Sequence, residues 1–223
     1  MQGIEVLFMG NNMLRLLDGL WVTLRLSLIS IGLSVAIGIF VGAVMLVKNR
    51  FVKALCRIYI EIVRIMPQLV WLFIIFFGVT KLTGLNFSGE TAAVIMLTIW
   101  GASEVGDLVR SAFLAIPAHQ FESGLSLGLS RVQLYTYVIF PQAIRGLVPH
   151  IINLSTRMIK TTALVSLIGV TEVLKVGKQI IDANRFEYPN AALWVYAAIF
   201  LMYFIICFPL SLLSRKLTKK RGE

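Results

Sequence analysis

The chain has 223 residues, of which 58% are hydrophobic and 14% charged, and its formal net charge is +10. A water-soluble domain of this length cannot bury so much apolar surface in one core, so lipid must be part of its solvent. At roughly 20 residues per span there is room for about five spans and none for a separate catalytic domain, and the cations flank apolar segments, which matches lipid head groups as partner and not nucleic acid.

The N-terminal MQGIEVLFMGNNMLRLLDGL is too weakly apolar for a signal peptide, and the first long apolar run lacks a small-residue cleavage site, so it is expected to stay in the mature protein. The pattern predicts an all-α polytopic membrane protein without sheet, a single transmembrane domain over 1–223. Its spans fall near 19–47, 58–82, 91–115, 133–156 and 191–213. In the first span Gly38 and Gly42 form a GxxxG, either a face for close helix approach or simply the glycine content of membrane helices. Pro67 interrupts the second span, and Ile151–Gly169 mixes polar with apolar residues, so a broken or re-entrant element is expected there. Cys56 and Cys207 lie far apart without metal-ligand spacing and read as small packing residues; no metal site is expected.

Lys48, Arg50, Lys53 and Arg57 crowd the first connection, and Arg215, Lys216, Lys219, Lys220 and Arg221 crowd the C-terminus. Cation-rich connections stay in the cytoplasm, which puts the N-terminus outside and the connection 116–132 inside. The stretch from Arg157 to Tyr188 would then be external, and its five cations go against that bias.

Ionised groups within spans need partners or a wet cavity. Glu61 and Arg64 are three apart on the second span, as are Asp107 and Arg110 on the third, so each pair can close on one helix face or across the two helices. Glu104, one turn deeper, is either a solute ligand or a third member of that network. Pro67, Gln68, Thr161, Thr162 and Ser166 are polar or helix-breaking positions at which freed backbone groups can bind a zwitterion, and they are the candidates for a substrate pathway.

In FESGLSLGLSRVQLYTYVIFPQAIRGLVP, residues 121–149, small and hydrophilic residues interrupt the membrane pattern. Pro117 suits the start of a short helix, Ser123 and Gly124 keep one face low, and Gly128 suits a left-handed exit. Glu122, Ser123, Gly124, Gly128, Val138 and Phe140-Pro141 together resemble the EAA loop of ATP-binding-cassette importer permeases. GLWVTLRLSL at 19–28, YIEIVRIMPQLV at 59–70, DLVRSAFLAIPAHQFE at 107–122 and IKTTALVSLIGVTEVL at 159–174 resemble the polar amino acid branch of that family, so the likeness covers nearly the whole chain.

The resemblance implies a five-span permease subunit of a bacterial cytoplasmic membrane importer. It implies ATPase coupling through Pro117, Glu122, Ser123, Gly124, Gly128 and Pro141, with Gly124 allowing close approach to the ATPase. The implied partners are two ABC ATPase subunits, a second permease subunit in a homo- or heterodimer, and an extracytoplasmic amino-acid-binding protein. No cofactor belongs to this chain, since it has no GxxxxGK[ST] loop; ATP and Mg would be held by the ATPase subunit, and the chain is no enzyme by itself. Ser123 and Gly124 stand where the family often has two alanines, and Asp107 where it usually has Glu. Thr161 and Ala163 stand where the branch often has Asp and Ser, which leaves the charge of the substrate open. The alternatives are a permease for another small polar solute, or a secondary transporter or channel, although no internal repeat is evident.

Overall fold

The computed structural model describes residues 3–219, and among them there is no strand. Lys220, Arg221 and the terminal Glu223 lie outside the described residues. After a 3-10 turn, Ile4–Leu7, come α1 (Asn12–Leu46), α2 (Arg50–Ile65), α3 (Gln68–Thr83), α4 (Gly89–Leu114), α5 (Ala118–Ser126), α6 (Arg131–Ile168), α7 (Val173–Asn184) and α8 (Ala191–Lys219). Four of these, α1, α4, α6 and α8, are long and apolar enough to cross a membrane; the pair α2 and α3 makes a fifth span if counted together.

The predicted second span is divided. Asn49 starts α2 by accepting the Phe51 and Val52 amides on its side chain, and Pro67 ends it by holding Met66 extended, at ψ 136°. Three sectors run along α2: Ile60 and Val63 are buried, Phe51, Leu55, Ile58, Ile62 and Ile65 are exposed, and Arg50, Lys53, Arg57 and Arg64 share the third.

The mixed stretch before Gly169 is also irregular. Helix α6 continues past the predicted limit of 156, tightens into a 3-10 segment over Thr162–Ile168, and stops at Gly169, whose φ of 90° is open to glycine. Arg157 and Lys160 therefore belong to α6 and not to a loop.

The described chain forms two compact units. The first takes residues up to Ile31, Pro67–Thr98 and Thr156–Pro209; the second takes Gly32–Met66, Ile99–Ser155 and the chain from Leu210. The core of the first gathers Val6, Leu7 and Leu16 around one face of α7 (Val173, Val176, Ile180) and the start of α8 (Ala191, Val195, Ile199). In the second, the GxxxG is used within the chain. A Cβ on Gly38 would overlap Val105, and one on Gly42 would stand 2.5 Å from Val109 Cβ, so both glycines let α1 lie against α4.

Candidate functional site

Helix α5 is a nine-residue element closed at both ends. Pro117 takes the N-cap, with ψ 141°, one position earlier than a first-turn proline. At the other end the Leu129 amide donates to the Gly124 carbonyl at 3.1 Å and the Gly128 amide to the Leu125 carbonyl at 3.0 Å. This is a Schellman closure, and it needs the left-handed Gly128, at φ 81°. Ser130 then opens α6 with a capping box to Gln133.

One face of α5 is fastened and the other is open. Gln142 Nε2 donates to Gln120 Oε1 at 2.6 Å, and the Phe121 ring lies edge-on to Tyr135 at 6.0 Å. Tyr135 and Phe113 both meet Phe140. Gly124 is buried beneath Leu134. The expectation that Gly124 would face outward, as a gap for a partner, is therefore corrected: its missing side chain makes room for Leu134 of the same unit. Glu122 and Ser123 are exposed, as are Leu125 and Leu127, the latter at 82%. Pro141 stands two residues beyond the π-helical turn Tyr135–Ile139, and a proline has no N–H to return to the preceding turn. A cleft of about 710 Å³ lies beside this connection, lined by residues that include Pro117, Gln142, Arg145, Val148, Pro149 and Leu217.

The charged residues form a compact cluster in the same unit. Arg64 Nε donates to Glu104 at 2.8 Å and Arg64 Nη1 to Asp107 at 3.0 Å, while Arg110 sits 3.6 Å from Asp107. Glu104 and Asp107 are one turn apart on α4, so a single guanidinium fork spans both. Beside it the Tyr59 hydroxyl donates to the Ile99 carbonyl at 2.7 Å. Of the two alternatives for Glu104, the structure shows the third member of the charge cluster. One expectation changes: Glu61, which lines a shallow exposed groove with Arg57, Ile58, Ile62 and Ile65, has no ion pair among the described residues.

The other pathway candidates lie in the first unit. Pro67 is exposed at the helix break, Gln68 and Thr161 are partly buried, and Thr162 and Ser166 are buried. The Thr162 hydroxyl donates to the Ile159 carbonyl at 2.7 Å and that of Ser166 to the Ala163 carbonyl at 2.8 Å, so both bond to their own helix.

Glu172 was not singled out from the sequence. It is 0% exposed and caps α7, accepting the Leu174 amide at 3.0 Å, the Lys175 amide at 2.8 Å and the Thr23 hydroxyl at 3.4 Å. Burial pushes its carboxyl above the usual range, with these bonds and Lys178 opposing. Glutamate is not among the residues usually read as N-caps, which is why the TEV sequence gave no signal. An Arg25–Glu90 ion pair at 2.6 Å, half-exposed, was likewise missed.

The family model described as "Binding-protein-dependent transport system inner membrane component" matches residues 34–222. The probable amino-acid ABC transporter permease protein YckA of Bacillus subtilis is 32% identical, over 92% of this chain and 88% of its own. The glutamine transport system permease protein GlnP of Escherichia coli K12 is 31% identical, over 92% of each. A crystal structure of an amino acid ABC transporter with histidines superposes at a TM-score of 0.83 with 29% identity, covering 94% of this chain and 97% of that one. The MetNI methionine ABC transporter, at 20% identity and a TM-score of 0.70, shares the fold.

Proposed function

This chain belongs to the family of binding-protein-dependent transport system inner membrane components, and from that premise we propose that it is the permease subunit of an ATP-driven importer of polar amino acids. The observation that carries this reading is the 32% identity to an amino-acid permease relative over 92% of the chain. The substrate class follows the names of such relatives. The sequence has no phosphate-binding loop, so in this reading ATP and Mg are held by a separate ABC ATPase subunit, and the exposed side of α5 is the surface that docks on it.

The reading further places one transmembrane domain over the chain, with a second permease subunit beside it and a binding protein delivering solute from outside. The family's inner-membrane description supports a bacterial cytoplasmic membrane location, and the cations at Lys48, Arg50, Lys53 and Arg57 support an orientation with the N-terminus outside and the C-terminus in the cytoplasm. Of the pathway candidates, this reading retains Pro67, Gln68 and Thr161, which occupy partly open positions. It assigns the Arg64 cluster to holding α2 on α4.

The test is uptake of radiolabelled L-glutamine, L-arginine and L-histidine into vesicles containing the assembled complex, with binding protein outside and ATP inside. Accumulation of at least one of them that stops with a non-hydrolysable ATP analogue is expected. Uptake that ignores ATP and follows an ion gradient would identify a secondary transporter instead.

A further inference from the structure

We propose that Gln120 and Gln142 are a positioning pair that makes α5 and the first turns of α6 move as one body. The inference rests on the reading of α5 as the ATPase-facing element. Gln120, Phe121 and Gly124 lie within an arc of about 100° around α5, and they meet Gln142, Tyr135 and Leu134 respectively. The two apolar contacts hold α5 against α6 chiefly through buried area and constrain its rotation and slide only weakly. The 2.6 Å amide pair is directional and part-buried, where water competes less for its donor and acceptor.

The π-helical turn Tyr135–Ile139 explains how α6 can offer both partners to one short helix. At 3.6 residues per turn, Gln142 would sit about 80° round the axis from Leu134. The extra residue in a π turn removes most of that offset, bringing the amide onto the side that already covers Gly124. Without Gln142 the apolar contacts remain, so α5 stays folded and attached and loses only its fixed angle. A push on α5 then turns α6 less faithfully, and ATP is consumed with less solute moved. Gln120 and Gln142 are thereby positioning residues, remote from any solute.

The experiment compares wild type, Gln120→Ala, Gln142→Ala and the exchange Gln120→Glu with Gln142→Lys, which replaces the amide pair by an ion pair. Each is reconstituted as the whole complex, and the readout is labelled amino acid accumulated per ATP hydrolysed, using whichever of the three probes above the wild type takes up. Both alanine variants should assemble normally and lower that ratio about two- to tenfold, the shift that one neutral hydrogen bond can supply, and the exchange should restore it. In parallel, spin labels at Ser126→Cys and Ile144→Cys, in a background lacking Cys56 and Cys207, should give a narrow distance distribution that broadens with Gln142→Ala. An unchanged ratio and an unchanged distribution in the alanine variants would overturn the latch while leaving the importer reading intact. ATP-independent uptake by the wild type would instead overturn the importer reading itself.

Discussion

Leu134 Cδ1 occupies the space that a side chain on Gly124 would need, since a Cβ built on the glycine stands 2.5 Å from it. The obstacle is the far end of a flexible side chain, so a methyl can be admitted if Leu134 turns, whereas a larger group must lift α5. Gly124→Ala should therefore keep most activity, and Gly124→Leu should cost about 1–3 kcal/mol of overpacking and abolish solute-stimulated ATP hydrolysis. Pairing Gly124→Leu with Leu134→Ala should recover part of it. ATPase rates of the three reconstituted complexes check this, and failure of the pair to recover any activity would count against an intramolecular clash.

At Gly128 nothing stands within 4 Å of a built Cβ, and the constraint is the backbone, at φ 81°. Gly128→Val should be strained by about 1–2 kcal/mol, and Gly128→Asn should be milder because asparagine tolerates the left-handed region. Membrane insertion should survive both. Uptake falling in the order glycine, asparagine, valine is the expected result.

Arg64 bridges two carboxylates, so its loss leaves Glu104 and Asp107 with fewer counter-charges than they have now. Because the cluster is partly open, Arg64→Leu should cost about 1–3 kcal/mol, below the figure for a fully buried pair. Adding Glu104→Gln and Asp107→Asn should return thermal stability in detergent toward wild type. Glu61→Gln, by contrast, should change stability little. An Arg64→Leu protein that melts with the wild type would show that the cluster does not hold α2 in place.

Burial raises the Glu172 carboxyl, so the folded state binds its proton more tightly than the unfolded chain does. Stability from this group is thus present at low pH and declines as pH rises from the ordinary glutamate range through the raised folded value. Comparing melting temperatures of wild type and Glu172→Gln between about pH 7 and about pH 5 isolates it. The difference should move in favour of wild type as the pH falls; a difference that stays constant would mean the carboxyl is not raised.

Much of this fold was legible from residue type alone. Apolar runs of span length mark α1, α4, α6 and α8, and Pro67 marks the break between α2 and α3, because lipid and proline each impose a local rule. Gly128 was legible for the same reason. The direction in which Gly124 faces was not, since a small residue looks alike whether it admits a partner or a side chain from its own chain. Nor was the choice of Arg64 between Glu61 and Glu104: the three-residue spacing on one helix is visible in sequence, and the distance to the neighbouring helix is not. Glu172 was hidden because glutamate is not a usual N-cap and because its remaining partner, Thr23, is far away in the chain.

In the proposed importer, the exposed side of α5 is where the ATPase subunit sits. Leu127 is 82% exposed at the end of this helix, and Leu134 is buried on the other side of it. A photo-crosslinking amino acid placed at either position in the assembled complex reads the contact directly. A crosslink to the ATPase subunit is expected from position 127 and none from position 134. A crosslink from 134, or none from 127 while the complex remains intact, would contradict this placement.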